Sequence, residues 1–366
     1  MSHMRVLLLT DLDFALRECH LVDRLAVGLM GAGVSVARGA PMDVNTMRKG
    51  GLIACANYRD DTLPWARSMV ADDFLADLEA DGWGKDKIDV IHAFGRKSWP
   101  LAFTLAEKAG GAVVLEMWSA DLLSNLPGEK RKNHIGAYMA PGRKIGELLR
   151  RKVNKNLVQV APWGVLAPED MEIRTPFSEM EKCISLVTVG SGHDIQAYRA
   201  MFVGLATIID HYPQIVMFVS APEAAGSKLY SMISELDLQG QVSLIPDAEA
   251  SLGIVFKADM LLLPEARGEY RSLALDAMAA GMVVTALKDE YVDYLSTDET
   301  AILIETPIWD KWAHTLDDIL HHPSRAVERA LASRKKIQND YTASRYIETV
   351  HLTYEKVIRG EVLSFT

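Results

Sequence analysis

Residues 261–286, LLLPEARGEYRSLALDAMAAGMVVTA, constrain the fold of this chain most. The apolar run Met260–Leu263 reads as a buried strand and is followed by a polar turn. A helix is expected from about Ser272 to Ala280, stopped by Gly281, with a second buried strand over Met282–Ala286. Two apolar β-runs joined by a helix of this length form a βαβ unit of a parallel sheet. Its turn lies at the carboxyl end of a strand, where ligands of open α/β sheets bind. The helix start there offers free N–H groups and a partial positive charge to a phosphate. The plain alternative is one more structural repeat, because most such turns bind nothing.

The rest of the chain repeats this theme. At 366 residues it is long for one core, so two domains are expected. Strand Arg5–Thr10, a helix from about Ala15 to Met30 and strand Val34–Ala37 open a Rossmann-like half. The turn after the first strand carries Asp11 and Asp13 in place of a Gly-rich loop. These acids would repel a phosphate and suit helix N-capping. Residues 41–65 read as irregular, and a helix follows from about Ala66 to Ala80. Strand Ile88–His92, helix Trp99–Ala109 and strand Ala112–Glu116 come next, then a loop over 121–132. A helix from about Lys144 to Val153 and strand Leu157–Ala161 end the half. Pro168, Pro176 and five acids mark 166–182 as a linker. A second series then runs through strands Ile184–Val189, Ile215–Val219 and Val242–Ile245, with helices at 198–210, 227–236 and 249–256. Strand Ala301–Ile304 and a helical tail close it. The expected class is α/β, with two Rossmann-like domains facing across a cleft.

Composition narrows the function classes. The net charge of −10 argues against general nucleic-acid binding. Cys19, Cys55 and Cys183 are far apart and fit no metal spacing; they suit a reducing compartment. No apolar run reaches the ~18–20 residues of a membrane span. Met1–Val6 leads straight into a strand, so no secretory leader is expected and the location reads as cytoplasmic. Region 130–155 carries most of a local basic excess: between Gly128 and Lys155 nine Lys or Arg stand against Glu129 and Glu147. It is a candidate for peripheral contact with the inner face of the membrane or another anionic partner, or it is a solvated helix face.

Several local motifs, in order, resemble the GT-B glycosyltransferases, and the retaining family 4 enzymes in particular. They are Asp89–Phe94 (DVIHAF), Val160–Val165 (VAPWGV), and Leu186–Gly190 with His211-Tyr212-Pro213 downstream. Ala258-Asp259 through Asp276–Thr285 and Thr300–Ile304 complete the set, so the likeness spans roughly 5–359. The resemblance implies an acceptor domain over 1–165 and a nucleotide-sugar donor domain over 183–342. It also implies a final helix, about 343–358, that packs back on the first domain. The implied substrate is a UDP- or GDP-sugar, with no metal and no cofactor.

The active-site motifs of that family are degenerate here. The positions of its phosphate-binding Arg and Lys are Ser191 and Gln196, and its first-domain His falls at Trp118. The first Glu of the Glu-x7-Glu pair falls on Gly268, with Glu269 one step on, and the second is Asp276, still able to accept ribose hydroxyls. A family glycine is Arg271. The resemblance therefore implies donor contacts from Asp276, from the Ser272, Leu273 and Ala274 amides, and from Gly190, Ser191 and Gln196. Arg267 and Arg271 would replace the lost cations, with His193 and Arg199 nearby. Glu269, Asp121 and His92 are the candidate catalytic groups, Asp121 toward the acceptor. For each there is a plain reading: exposed loop charges for the arginines, a dipole-favoured acid for Glu269, a packed histidine for His92. Trp118 and Trp163 either stack on a sugar or belong to the core. Two functions stay open: a retaining transfer from a nucleotide sugar to an unknown acceptor, or a catalytically impaired pseudo-glycosyltransferase serving as a binding or scaffold subunit.

Overall fold

The computed structural model describes residues 4–42, 51–59, 63–168, 175–220, 223–245, 256–296 and 299–363. The chain divides into two compact units. One comprises residues 1–164, 268–271 and 343–366; the other comprises 165–267 and 272–342. The helix expected at 249–256 lies outside the described residues except for Phe256, as do residues 169–174 of the expected linker.

The first unit holds a seven-stranded sheet in the order β3-β2-β1-β4-β5-β6-β7, with every neighbouring pair parallel. Its strands are β1 (Arg5–Thr10), β2 (Ser35–Pro41), β3 (Ala54–Tyr58), β4 (Val90–Phe94), β5 (Ala112–Glu116), β6 (Ile135–Ala140) and β7 (Val158–Val160). Val6 to Leu9 and Val90 to Ile91 have no exposed surface, as expected of strands covered on both faces. Two strands depart from the sequence reading. β3 sits within the stretch read as irregular, of which 43–50 and 60–62 lie outside the described residues, and β6 follows the loop expected at 121–132. That loop itself contains a 3-10 turn at Ala120–Ser124 and a short helix at Glu129–Lys132.

The second unit holds six parallel strands in the order β10-β9-β8-β11-β12-β13. They are β8 (Ile184–Val189), β9 (Ile215–Ser220), β10 (Val242–Ile245), β11 (Met260–Leu263), β12 (Val283–Leu287) and β13 (Ile302–Ile304). Helix Trp309–His321 buries Trp312, Leu316 and Ile319 against the core that includes Phe202 and Leu205 of helix Ile195–Ile208. The two helices approach so closely that a Cβ on Gly204 would lie 2.6 Å from Trp312 Cβ.

Both units use one device to place their first strand. Asp89, just before β4, accepts the Arg5 N–H at 2.9 Å. Asp259, just before β11, is fully buried and accepts the Ser185 N–H and Oγ–H and the Phe177 N–H, each at 2.8 Å. A buried carboxylate is tolerated when its acceptor sites are filled in this way.

The last helix, Ala343–Arg359, packs within the first unit. Tyr354 Oη lies 2.6 Å from His92 Nδ1, and a Cβ on Gly28 would fall 2.3 Å from Ile347 Cδ1. Among the described residues, no helix is long and apolar enough to cross a membrane.

Candidate functional site

In the first unit, candidate groups gather at the carboxyl ends of β1, β4 and β5. Asp11, directly after β1, caps helix Leu12–Gly31 by accepting the Phe14 N–H at 2.9 Å. It also accepts the Lys97 N–H at 3.1 Å. Burial pushes its carboxyl up to about 6, against the opposing effect of these backbone hydrogen bonds. Gly95 permits the arrangement: its φ is +89°, and a Cβ there would sit 2.2 Å from the Asp11 carboxyl.

Residues 268–271 form a short antiparallel pairing with 118–120 in this unit. Ala120 N–H donates to Gly268 O and Tyr270 N–H to Trp118 O, both at 3.0 Å. This pairing fixes Glu269 between two guanidinium groups. Its Oε2 lies 3.0 Å from Arg17 Nη1 and 2.6 Å from Arg271 Nη2. The three side chains are 7%, 9% and 12% exposed for Arg17, Arg271 and Glu269, so the charges meet in a partly dehydrated setting. Arg17 also pairs with Asp13 at 2.6 Å.

Around this cluster the aromatic residues are core. Trp118 and Trp163 are 4% and 0% exposed. Phe14 meets both edge-on, at 5.5 and 5.9 Å between centroids, and Trp163 meets Tyr270 at 6.1 Å. Neither tryptophan presents a face for stacking on a sugar. Trp163 Nε1 donates to Glu116 Oε1 at 2.8 Å, while Glu116 Oε2 lies 3.2 Å from His92 Nε2. His92 therefore sits inside a wholly buried polar chain, Trp163–Glu116–His92–Tyr354, at 0% exposure. The candidate base at the strand end is a packed histidine here, because β4 continues two residues beyond it to Phe94. Burial, with Glu116 adding to it, holds the Tyr354 hydroxyl well above its ordinary range. Asp121 is exposed; its backbone N–H bonds to Ser119 Oγ at 3.3 Å.

In the second unit, the helix Ser272–Ala279 starts after β11 with Ser272 and Ala274 buried, Leu273 half-buried, and Asp276 half-buried one turn on. Gly281, at φ +78°, stops the chain before β12. The turn after β8 carries Gly190 to Asp194. Its acidic occupant was not anticipated from sequence: Glu265, one residue beyond Pro264. Glu265 Oε1 accepts the Ser191 hydroxyl and the Asp194 N–H, both at 2.8 Å. Its Oε2 accepts the Ser191 N–H and, at 3.2 Å, the Gly192 N–H. Gln196 and His193 are exposed and Arg267 is half-buried. Arg199 is held by Glu235 through two hydrogen bonds of 3.0 and 2.6 Å. Among the described residues, no group of three or more His, Cys, Asp or Glu is arranged to hold a metal ion.

No family model matches the sequence, and no curated protein matches it. Solved structures do match its fold. The Thermosynechococcus elongatus sucrose-phosphate synthase is 14% identical, covering 98% of this chain and 100% of its own, with a TM-score of 0.74. Anabaena HepE in complex with UDP-glucose is 12% identical, covering 97% and 100%, at 0.73. A Listeria monocytogenes protein described as a putative UDP-N-acetylglucosamine 2-epimerase is 12% identical, covering 100% of both chains, at 0.63. The chain thus has the GT-B fold.

Proposed function

We propose that this chain is a glycosyltransferase that takes its sugar from a nucleotide-sugar donor and transfers it with retention of anomeric configuration. The observation that carries the reading is the helix Ser272–Ala279, which opens after β11 with Asp276 one turn in. The first amides of a helix have no intrahelical partner, and its dipole favours an anion, so the Ser272, Leu273 and Ala274 N–H groups suit a diphosphate. Asp276 supplies acceptors for two ribose hydroxyls. HepE, of the same fold, is described with UDP-glucose. In this reading Glu269 acts on the transferred sugar, and Asp121, exposed, serves the acceptor.

A second reading, a binding or scaffold subunit with impaired catalysis, draws on the ion pairs. Arg271, a candidate replacement for the missing phosphate cations, is already matched by Glu269, and Arg199 by Glu235. Losing one donor of a transition-state clamp typically costs on the order of 10²–10³ in rate.

Incubation with UDP-, GDP- and ADP-hexoses, followed by proton NMR of the released sugar, separates the two. Transfer to water or to an added acceptor, with the anomeric configuration kept and lost in Glu269→Gln, supports the transferase. Absence of turnover with every donor, together with retained nucleotide binding, supports the scaffold.

A further inference from the structure

We propose that Glu265 is a self-supplied anion that gates the turn Gly190–Asp194, so that a phosphate-class oxyanion enters only when this side chain withdraws. Its role as a gate for the donor rests on the nucleotide-sugar reading above. The geometry begins with strand pairing. β11 lies beside β8 in the middle of the sheet, parallel to it and with Leu262 opposite Thr188, so the connections leaving the carboxyl ends of both strands are neighbours. Pro264 ends the strand run and Glu265 follows, facing the turn after β8. Gly192, at φ +69°, turns successive N–H groups of that turn inward.

Four donors then converge on one carboxylate: the backbone N–H groups of Ser191, Gly192 and Asp194, and the Ser191 hydroxyl. Convergent backbone amides of this kind bind phosphates and carboxylates alike. The surroundings are built around the occupant. A Cβ on Gly190 would lie 2.5 Å from Glu265 Oε2 and 2.3 Å from the hydroxyl of the buried Tyr198.

Capping of the following helix does not require Glu265. Asp194 already caps Ile195–Ile208, its side chain accepting the Ala197 N–H at 3.1 Å. Glu265 is a second carboxylate at the same turn, and it satisfies donors that capping leaves over. A diphosphate brought to these amides competes with Glu265 for the same four donors. The gate therefore sets donor affinity through one side chain of the β11 connection.

Calorimetric titration of inorganic pyrophosphate and of UDP, GDP and ADP into the full chain, Glu265→Ala and Glu265→Gln, at fixed ionic strength, tests this. Pyrophosphate binding is expected to tighten by roughly tenfold or more in Glu265→Ala, the equivalent of ~1.4 kcal/mol. Unchanged or weaker pyrophosphate binding in both variants overturns the gate and leaves Glu265 as a structural tie. Where Glu265→Ala does not fold alone, recovery of its thermal transition on adding pyrophosphate supports the gate. Without such recovery Glu265→Gln decides, and affinity equal to the unsubstituted chain overturns it. Pyrophosphate binding gained while UDP, GDP and ADP all fail to bind keeps the gate and sinks the donor reading. UDP binding that depends on Asp276 and ignores Glu265 does the reverse.

Discussion

Arg17 and Glu269, 252 residues apart in sequence, meet at 3.0 Å in an ion pair that Arg271 completes at 2.6 Å. Deleting one partner of a buried charge cluster leaves the others without compensation, which costs about 3–5 kcal/mol when burial is complete. Glu269→Ala is expected near the lower end, because the cluster keeps slight exposure and Arg17 keeps its pair with Asp13. Arg17→Met is expected to cost less, since Glu269 keeps Arg271. Urea unfolding of both variants checks the order; Arg17→Met costing more than Glu269→Ala contradicts it.

Asp11 supplies a pH dependence of defined sign. Burial raises its carboxyl from 3.8 to about 6, so between these values the folded chain holds a proton that the unfolded chain releases. The stability contribution is present below pH 3.8 and is lost as pH rises through about 6. Asp11→Asn removes this titration. The stability of the unsubstituted chain relative to Asp11→Asn should fall by up to about 3 kcal/mol from pH 4 to 7 and stay flat above. Denaturant midpoints measured across that range test it, and a constant difference sinks it.

Gly28 tests the seat of the last helix. Alanine improves intrinsic helix propensity by about 1 kcal/mol, yet the added methyl would collide with Ile347 Cδ1 and Cγ1, at 2.3 and 2.8 Å. Ile347 is β-branched and stiff, so overpacking should dominate, with a net loss of roughly 1–3 kcal/mol. Gly28→Ala combined with Ile347→Ala should show a smaller loss than the two single changes summed. Additive losses would mean the two helices do not share this contact.

The fold was legible where strands are runs of Leu and Val, as in the buried cores of β1 and β11, because burial on both faces leaves no polar interruption. It was not legible in β3 (ACANY) and β6 (IGAYMA), which are built from small residues of weak strand propensity. Gly136 in β6 gives the reason. A Cβ there would fall 2.3 Å from Val357 Cγ1, so the strand gives up propensity to admit the final helix. The candidate site divides the same way. The helix start follows from the strand–turn–helix pattern and Asp276 from the family resemblance alone, whereas Glu265 reads as an ordinary turn acid until the β8–β11 pairing brings it to Ser191. His92 looked available at a strand end because sequence alone places neither Glu116 nor Tyr354 around it.

The most direct measurement is a saturating titration of UDP, GDP and ADP into the full chain and into Asp276→Ala. Saturable binding of at least one nucleotide is expected, weakened about tenfold or more in Asp276→Ala, in line with the ~1.5–3 kcal/mol of hydrogen bonds to a charged group. Absence of saturable binding for all three nucleotides, with Asp276→Ala indistinguishable from the unsubstituted chain, would contradict it.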